Sequence, residues 1–447
     1  MNFGKKKRLS ILAFALLPCF AVPSLSWADD AADGGSFKPE FWNVHFQATF
    51  LPQWHPAFPA EYSGPFSLKD SQEFPASFTS TLYLGFTPWQ GGFLYANPEV
   101  PAGNGFSGVS GLGDFSNGEI SKVGSANPTY NQARLYFQQV FGLGGEQEKI
   151  DDDQNQLAAK LDISRFTVTV GKFALNDFFD NNAYAHDART QFINLTFIDN
   201  LAWDFAADTH GYTLGVVGEL NQKGWAVRVA EAMVSTVANG PDYDGNLSRA
   251  HSDNAEFEWR YGSGDGAGKI RFLAYINQAH MGSYQDALNL SPVDPKVTAT
   301  REYRDKYGFG LGWEQALGAN WGLFARAGWN DGQTESWEFV AVDQNASLGA
   351  VLNGTLWGRT DDQVGLGIAM SGLSSVHQAY LAAGGLDFNI GDGALRYAPE
   401  EVAELYYLFK PIPSVGLTLD FQGIRNPGYN RDRGPVGIVS GRVHFEI

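Results

Sequence analysis

The sequence predicts an all-β protein, a transmembrane antiparallel β-barrel of 16 strands with short periplasmic turns and long extracellular loops. Three observations support this fold class. Apolar and polar residues alternate along many segments, short and long connections alternate between those segments, and the N-terminal residues have the pattern of an export signal. The composition agrees, because only 18% of the 447 residues are charged while 14% are aromatic and 52 are glycine.

Residues 1–28 are predicted to be a secretory signal peptide, and residues 29–447 the mature β-barrel. Four basic residues at positions 5–8 precede an apolar stretch over 9–22, which is too short to span a bilayer as a helix. Small residues at positions 26 and 28 then offer a cleavage site. The alternative, a buried core helix, would leave the four adjacent cations unexplained.

Removal of this segment changes both the cysteine count and the charge. Cys19 is the single cysteine of the chain, so the mature protein would have no disulfide framework and no cysteine-based metal site. The net charge of −18 would become −22, because 27 basic residues would face 49 acidic ones. A chain this acidic is not expected to bind nucleic acid, whose phosphates require a basic face.

Strand-like alternation is clearest over residues 42–50, where even positions are apolar and odd positions polar. Successive side chains of a strand point to opposite faces, so this segment has one apolar and one polar face. Charges on the polar face of further segments indicate a wet lumen: Arg134, Arg228, Glu258, Arg271, Arg326, Glu404 and Arg442. A secreted, soluble β-sandwich or propeller also alternates, with its apolar face turned inward, and remains the alternative at this point.

Length sets the expected number of strands. An outer-membrane strand needs about 9–11 residues, and 16 strands leave about 26 residues for each strand with its connection, as in porins. Eighteen strands is the second count, if the doubtful segments 156–162 and 192–199 are also strands. The uncharged stretch 363–386 is interpreted as a strand to Met370 followed by a loop with a helical turn at 376–383. A 16-stranded barrel is wide enough for an aqueous channel.

Motifs of enzymes, cofactor sites and metal sites are not found in the sequence, so no catalytic residue, cofactor or metal is predicted. The acidic run at 151–153 lacks the glycine turn and distal glutamate of a calcium loop. Gly310 and Gly312 are expected to face the lumen and leave room there rather than bind phosphate. Paired carboxylates such as Glu256 and Glu258 are expected to line a pore rather than to flank a glycosidic bond.

Several polar motifs combine Asn, Asp and Arg with an aromatic residue. They include the run 177–187, Trp203-Asp204 and residues 429–434. Fixed amides and carboxylates can bond sugar hydroxyls, and flat rings can stack on a pyranose, as polar groups and aromatic walls do in ligand pockets generally. Asn, Asp and Gly also favour turns, so each motif could equally serve loop folding.

At these residues the sequence resembles the OprB family of carbohydrate-selective porins of Gram-negative outer membranes. The resemblance covers essentially the whole predicted mature chain and rests on the following segments: Gln53, Phe58, Tyr62-Ser63-Gly64, Ser67-Leu68, Asn97-Pro98-Glu99, Asn117-Gly118-Glu119, Ala133-Arg134, Gly171-Lys172, 177–187, Trp203-Asp204, Ala207-Asp208, Gly211-Tyr212, Gly384-Gly385, Gly391-Asp392-Gly393, Asn426-Pro427, Tyr429-Asn430 and Arg433-Gly434-Pro435-Val436. It implies a 16-stranded barrel through which sugars diffuse passively.

We therefore expect facilitated diffusion of mono- or oligosaccharides through a water-filled lumen that loops 98–128 and 173–200 narrow by folding inward. The predicted pore-lining residues are Glu99, Glu119, Arg134, Asp177, Asp180, Arg189, Asp204, Arg228, Glu258 and Arg326. Opposed charges at such a constriction would orient polar solutes. The alternative is a general or cation-preferring porin, since negative charge favours cations at the mouth. The expected partners are carbohydrate solutes and outer-membrane lipid, for a monomer or a homotrimer.

Overall fold

The computed structural model describes residues 38–120 and 125–447, so the predicted signal peptide lies outside the described residues. Within them the chain forms 18 strands: β1 Trp42–Trp54, β2 Ala76–Trp89, β3 Gly92–Gly103, β4 Asn131–Gly142, β5 Gln147–Ile150, β6 Ala159–Asp162, β7 Arg165–Phe173, β8 Thr213–Asn221, β9 Trp225–Ala232, β10 His251–Tyr261, β11 Gly268–Met281, β12 Glu302–Leu317, β13 Trp321–Asn330, β14 Gln344–Asn353, β15 Gln363–Gly372, β16 Glu400–Ile412, β17 Val415–Arg425 and β18 Val436–Glu446. Three α-helices lie between them: α1 Leu195–Ile198, α2 Tyr284–Leu290 and α3 Ser375–Ala382.

Sixteen of the strands in the described residues form one closed antiparallel barrel, which confirms the predicted count. Each barrel strand pairs with the barrel strand next to it in sequence, and β1 pairs with β18 to close the ring, with Phe50 opposite Val443. The other two strands, β5 and β6, pair only with each other. Of the two doubtful segments, 156–162 therefore contributes to this small hairpin and 192–199 contains α1.

The two faces of the strands differ in polarity as the alternation predicts. In β2, Ser77, Thr79 and Thr81 are buried toward the lumen, while Phe78 and Phe86 are 39% and 38% exposed on the outside. A soluble sandwich would bury the apolar face instead. An apolar outer face around a polar interior is the pattern of a barrel in lipid.

Tryptophans on the outer face lie at the ends of several strands. Trp89, Trp225 and Trp321 end or begin strands at one rim and are partly exposed, as expected of an interfacial girdle. Trp313 lies inside β12, four residues before its end, and donates its indole N–H to the Tyr261 hydroxyl at 2.8 Å. None of the helices in the described residues has the length and apolarity needed to cross a membrane.

Connections are long at one rim and mostly short at the other. The long ones are L1 (55–75), L2 (104–130), L3 (174–212), L4 (233–250), L5 (282–301), L6 (331–343), L7 (373–399) and L8 (426–435). Residues 98–103 continue β3, so Glu99 lies on a strand and not in the loop where it was predicted. At the opposite rim the connections are 90–91, 222–224, 262–267, 318–320, 354–362 and 413–414. The connection 143–164 at that rim is much longer and contains β5 and β6; we call it the 143–164 insert.

Three of the long loops are joined by a buried ionic contact. His377 of α3 in L7 lies with Nδ1 2.9 Å from Asp343 Oδ2 of L6 and Nε2 3.0 Å from Asp387 Oδ2. Tyr284 of L5 donates its hydroxyl to Asp387 at 2.5 Å. Burial alone would lower the pKa of His377, but the two carboxylates raise it to about 9. A charged His377 therefore holds L5, L6 and L7 together at neutral pH.

Candidate functional site

Loop L3 crosses the inside of the barrel and is fixed to lumen-facing residues of distant strands. Arg326 of β13 lies with Nε 2.9 Å from Asp180 Oδ2 and donates from Nη1 to the Phe197 carbonyl at 2.6 Å. Arg442 of β18 donates to the carbonyls of Ala188 and Gln191 at 2.7 and 2.8 Å. These contacts confirm that L3 folds inward.

Acidic residues of the wall also hold the backbone of L3. The carboxylate of Glu404 in β16 accepts the N–H groups of Ile193 and Asn194 at 2.6 and 3.0 Å. Glu256 of β10 accepts the Asp180 N–H at 2.7 Å. A buried N–H group without a hydrogen-bond partner costs free energy. These carboxylates supply partners to N–H groups of L3 that no helix or strand pairs.

Glycines on the lumen face make room for the same loop. Asn200 of L3 packs against β12 and β13 so closely that a methyl group at Gly310 would lie 2.5 Å from its amide nitrogen, and one at Gly328 would overlap its amide oxygen. Gly367 of β15 likewise leaves space for the Phe197 ring, whose nearest carbon would be 2.6 Å from an added methyl group. The prediction that lumen glycines such as Gly310 leave room is thus confirmed, and the group they admit is a loop.

Loop L2 also turns inward and rests on β1 and β2. Gln53 donates from Nε2 to the Ser116 carbonyl, and Asn117 donates from Nδ2 to the Ser77 hydroxyl, both at 2.9 Å. Thr79 donates its hydroxyl to Glu119. The side chain of Glu119 is consequently held inside the barrel, opposite L3.

Arg189 of L3 brings residues from L2, β2 and β3 together. Its guanidinium lies with Nε 2.7 Å from Glu119 Oε1 and Nη2 3.3 Å from Glu99 Oε2, and Nη1 donates to the Tyr83 hydroxyl at 3.1 Å. The Tyr212 hydroxyl donates to Glu99 at 3.3 Å. Burial raises the pKa of Glu119, and the charge of Arg189 opposes this shift. We call these five residues the Arg189 cluster.

A second ion pair lies beside this cluster. Arg134 of β4 forms a two-pronged pair with Asp177, with Nε–Oδ2 and Nη2–Oδ1 distances of 2.8 and 2.5 Å. Asp177 also accepts the Ala174 N–H at 3.1 Å, which fixes the start of L3. The Arg134 guanidinium carbon lies 5.3 Å from the centre of the Tyr212 ring, and the ammonium of Lys172 lies 5.7 Å from it. The Tyr212 ring is therefore held in place by two cations.

The Arg189 cluster and the Arg134–Asp177 pair border one cavity of about 370 Å³ inside the barrel, which we call the upper cavity. Of the predicted residues, Glu119, Arg134, Asp177 and Arg189 line it, and Glu99 supports Arg189 from behind. Apolar side chains complete its lining: Phe115, Ile120, Leu195, Ile198, Phe205 and Phe339. Its volume is within the range of small-molecule sites.

Arg228 and Glu258 belong to a different part of the wall. Arg228 of β9 lies 2.6 Å from Glu219 and 2.8 Å from Glu256, and Glu258 lies 2.9 Å from Arg271. These residues form a ladder of alternating charges across neighbouring strands. The structure does not bring them to the upper cavity.

Asp180, Asp204 and Arg326 are buried where the loops are fixed. Asp204 accepts the N–H groups of three successive residues of L6, 337–339, at 2.9 to 3.0 Å and lies 3.3 Å from the Lys306 ammonium. Its side chain is 2% exposed, and those of Asp180 and Arg326 are 5% and 0% exposed. The geometry therefore gives these three residues a part in holding loops rather than in lining the upper cavity.

Sequence reasoning missed several residues of this site, among them Tyr83, Gln154 and Asn155. Tyr83 lies on the lumen face of β2 after Thr79 and Thr81, and an aromatic residue on a polar face was an available signal. Gln154 and Asn155 also line the upper cavity. They come from the rim of short turns, and no pattern in the sequence places a turn inside a lumen.

Comparison with known proteins agrees with this geometry. The model of the family "Carbohydrate-selective porin, OprB family" matches residues 67–447. The high-pH structure of Pseudomonas putida OprB is 16% identical with a TM-score of 0.68, and the alignment covers 91% of this chain and 94% of that one. The low-pH structure is 12% identical with a TM-score of 0.50, covering 91% and 92%. At identities this low, the likeness to these structures shows a shared fold alone. No curated protein matches the sequence.

Proposed function

The chain belongs to the OprB family of carbohydrate-selective porins, and we propose that the upper cavity is the filter through which it admits sugars. The protein is an outer-membrane porin of Gram-negative bacteria that passes carbohydrates. The proposal assigns this passage to Glu119, Arg134, Asp177 and Arg189, with Glu99 holding Arg189 in place.

The observation that carries the proposal is the placement of donors and acceptors on facing sides of one cavity. Among its contacts with described residues, Arg189 uses three of the five N–H donors of a guanidinium, for Glu119, Glu99 and Tyr83. The remaining N–H groups and the carboxylate oxygens of Glu119 and Asp177 suit a solute whose hydroxyl groups both donate and accept. The neighbouring apolar side chains suit the C–H faces of a sugar ring.

The same pairing explains why binding would be weak, as transport requires. A filter must bind its solute strongly enough to admit it and weakly enough to release it. Each charged group here already has a protein partner, so only its unused donors or acceptors bind a sugar, and each such bond replaces one that the sugar makes to water. We infer passive diffusion without covalent chemistry. The whole filter comes from one chain, so the proposal holds for a monomer and for a homotrimer.

Planar bilayers with the purified protein test the proposal. Millimolar glucose should reduce the ion current in a saturable manner, because bound sugar occupies the filter. A per-O-methylated glucoside keeps the ring but cannot donate hydrogen bonds, and it should reduce the current only in proportion to viscosity. Equal effects of the two compounds would refute the filter and favour a general or cation-preferring porin.

A further inference from the structure

The 143–164 insert is unusual among the connections of its rim. The other described connections there have between two residues (90–91) and nine (354–362), whereas this one has 22. Its strands β5 and β6 form the two legs of a hairpin, and residues 151–158 form the tip between them.

The tip is bound to the lumen face of β1. Asn43 donates from Nδ2 to Asp152 Oδ1 at 2.6 Å and to the Gln156 carbonyl at 2.8 Å. His45 lies with Nε2 2.9 Å from the same Asp152 oxygen. Asn43 and His45 alternate with the exposed residues Trp42 and Val44, so the tip has turned into the barrel and away from the rim.

Further hydrogen bonds connect the tip to the Arg189 cluster. Asn97 of β3 donates from Nδ2 to Asn155 Oδ1 at 2.8 Å, and Gln154 donates from Nε2 to Gln47 Oε1 at 3.3 Å. Gln47 in turn donates to the hydroxyl of Tyr83, which belongs to the Arg189 cluster. An unbroken chain of hydrogen bonds therefore joins the insert to Arg189.

The insert is also held by apolar packing. Leu157 is 1% exposed and belongs to a cluster of buried side chains that includes Phe93, Tyr95 and Tyr136 of the wall. Its N–H donates to the Tyr95 hydroxyl at 3.3 Å. Polar anchors on β1 and apolar packing on β3 and β4 together fix the position of the tip.

The tip separates two cavities. Below the upper cavity lies a second one of about 460 Å³, bordered by the wall aromatics and the insert. Both cavities are lined by the same four residues, Gln154, Asn155, Asp177 and His186. In the described residues the Nδ1 atom of His186 is buried and has no hydrogen-bond partner. The four residues thus lie between the two cavities, and a polar atom of His186 is still unpaired there.

We propose that the 143–164 insert supplies the periplasmic half of the sugar filter, with Gln154 and Asn155 forming a narrow neck opposite Asp177 and His186 of L3. The inference rests on the proposed function of the upper cavity and adds a specificity-determining element to it. Amides donate and accept hydrogen bonds without carrying charge. The two amides therefore offer hydrogen bonds to neutral, hydroxyl-rich solutes without adding charge to the neck.

Cysteine labelling in planar bilayers tests the position of the tip. The chain has a single cysteine, at position 19, inside the predicted signal peptide, so Gln154→Cys would be the single thiol of the mature protein. A charged methanethiosulfonate reagent should lower the conductance of Gln154→Cys by at least half, and glucose should slow this reaction several-fold. Lys160→Cys on exposed β6 is the control, and its labelling should leave the conductance unchanged.

Asn176→Cys, which lines the upper cavity alone, separates the two proposals. If labelling blocks Asn176→Cys while Gln154→Cys is unreactive or labelled without effect, the insert does not line the pore and the present inference is wrong. If labelling at Asn176 has no effect on current, the upper cavity is not the passage and the proposed function fails. Mass spectrometry of the recovered protein establishes which thiols reacted.

Asn155→Gly tests the amide itself. Asn155 has a φ of 54°, in the left-handed region that glycine adopts without strain, so the fold of the tip should persist. The loss of one neutral hydrogen bond should weaken the glucose block about five-fold. An unchanged glucose block together with unchanged conductance would overturn the inference.

Discussion

Replacement of Arg189 by methionine tests the filter most directly. Methionine keeps an unbranched side chain of similar length but removes the guanidinium and its bonds to Glu119, Glu99 and Tyr83. Two measurable quantities should change, the affinity of the channel for glucose and its preference for cations over anions.

The magnitude of the first effect follows from the hydrogen bonds that a sugar would lose. A hydrogen bond to a charged group contributes about 1.5–3 kcal/mol, which corresponds to a roughly 10- to 150-fold change in affinity. The side chain of Arg189 is 15% exposed, so its free donors can reach a solute in the upper cavity. We expect the dissociation constant for glucose block to rise within this range.

The second effect follows from charge. In the Arg189 cluster and the Arg134–Asp177 pair, the carboxylates of Glu99, Glu119 and Asp177 face two guanidiniums, and the variant leaves them facing one. A cation about 4 Å from an added unpaired charge gains at least ~1 kcal/mol, even with the dielectric constant of water. The ratio of cation to anion permeability should therefore rise about five-fold.

Reversal potentials in a salt gradient and glucose titrations of the current measure both quantities. Arg425→Met is the matched control, because it removes the same charge from the outer face of β17, where Arg425 is 69% exposed. An Arg189→Met channel whose glucose block and reversal potential match those of the control would show that the guanidinium does not face the permeating solute.

Three further outcomes are expected. Gly328→Leu should displace Asn200 and lower the heat stability of the folded barrel by about 1–3 kcal/mol, seen as an earlier loss of the folded band in semi-native electrophoresis. Asp180→Ala leaves Arg326 as a buried charge without its carboxylate, so it should destabilise the seating of L3 by about 3–5 kcal/mol and increase both conductance and current noise. The ionic contact of His377 should stabilise the long loops fully below pH 6.5 and lose about 3 kcal/mol as pH rises through about 9. Amide protection factors of L5–L7, corrected for the rise of the intrinsic exchange rate with pH, should fall between pH 7 and 10, and unchanged protection would refute this.

The fold could be predicted because its determinants are local. Alternation over 42–50 and its repeats in other segments report on the two faces of each strand, and chain length limits the number of strands. The alternative count of 18 strands has the same origin, because it too was based on local sequence patterns. Segment 156–162 contains β6, a strand that pairs only with β5, and propensity alone cannot show which partner a strand has.

The site was predicted in part, because charge on a lumen face is visible in sequence while the partner of that charge is not. Arg134 and Arg189 were identified as pore-lining residues, and the structure places both at the upper cavity. Asp204 carried the same signal, but three N–H groups of L6 and the ammonium of Lys306 surround it. Such contacts link residues more than 100 positions apart, so no local pattern distinguishes an anchoring carboxylate from one that meets a solute.

Because many of the acidic residues hold loops in place, the acidity of the chain does not measure how strongly the pore attracts cations. A barrel that folds loops into its lumen has many loop N–H groups to satisfy, and lumen carboxylates accept them. Glu400 accepts the N–H groups of Gly113 and Gly428 at 3.0 and 2.6 Å, as Glu404 does for two residues of L3. Both glutamates are 1% exposed, so no permeating ion contacts them. The net charge of −22 expected for the mature chain therefore overstates the field at the Arg189 cluster, where Glu99, Glu119 and Asp177 face Arg134 and Arg189. A modest cation preference is compatible with the passage of neutral sugars.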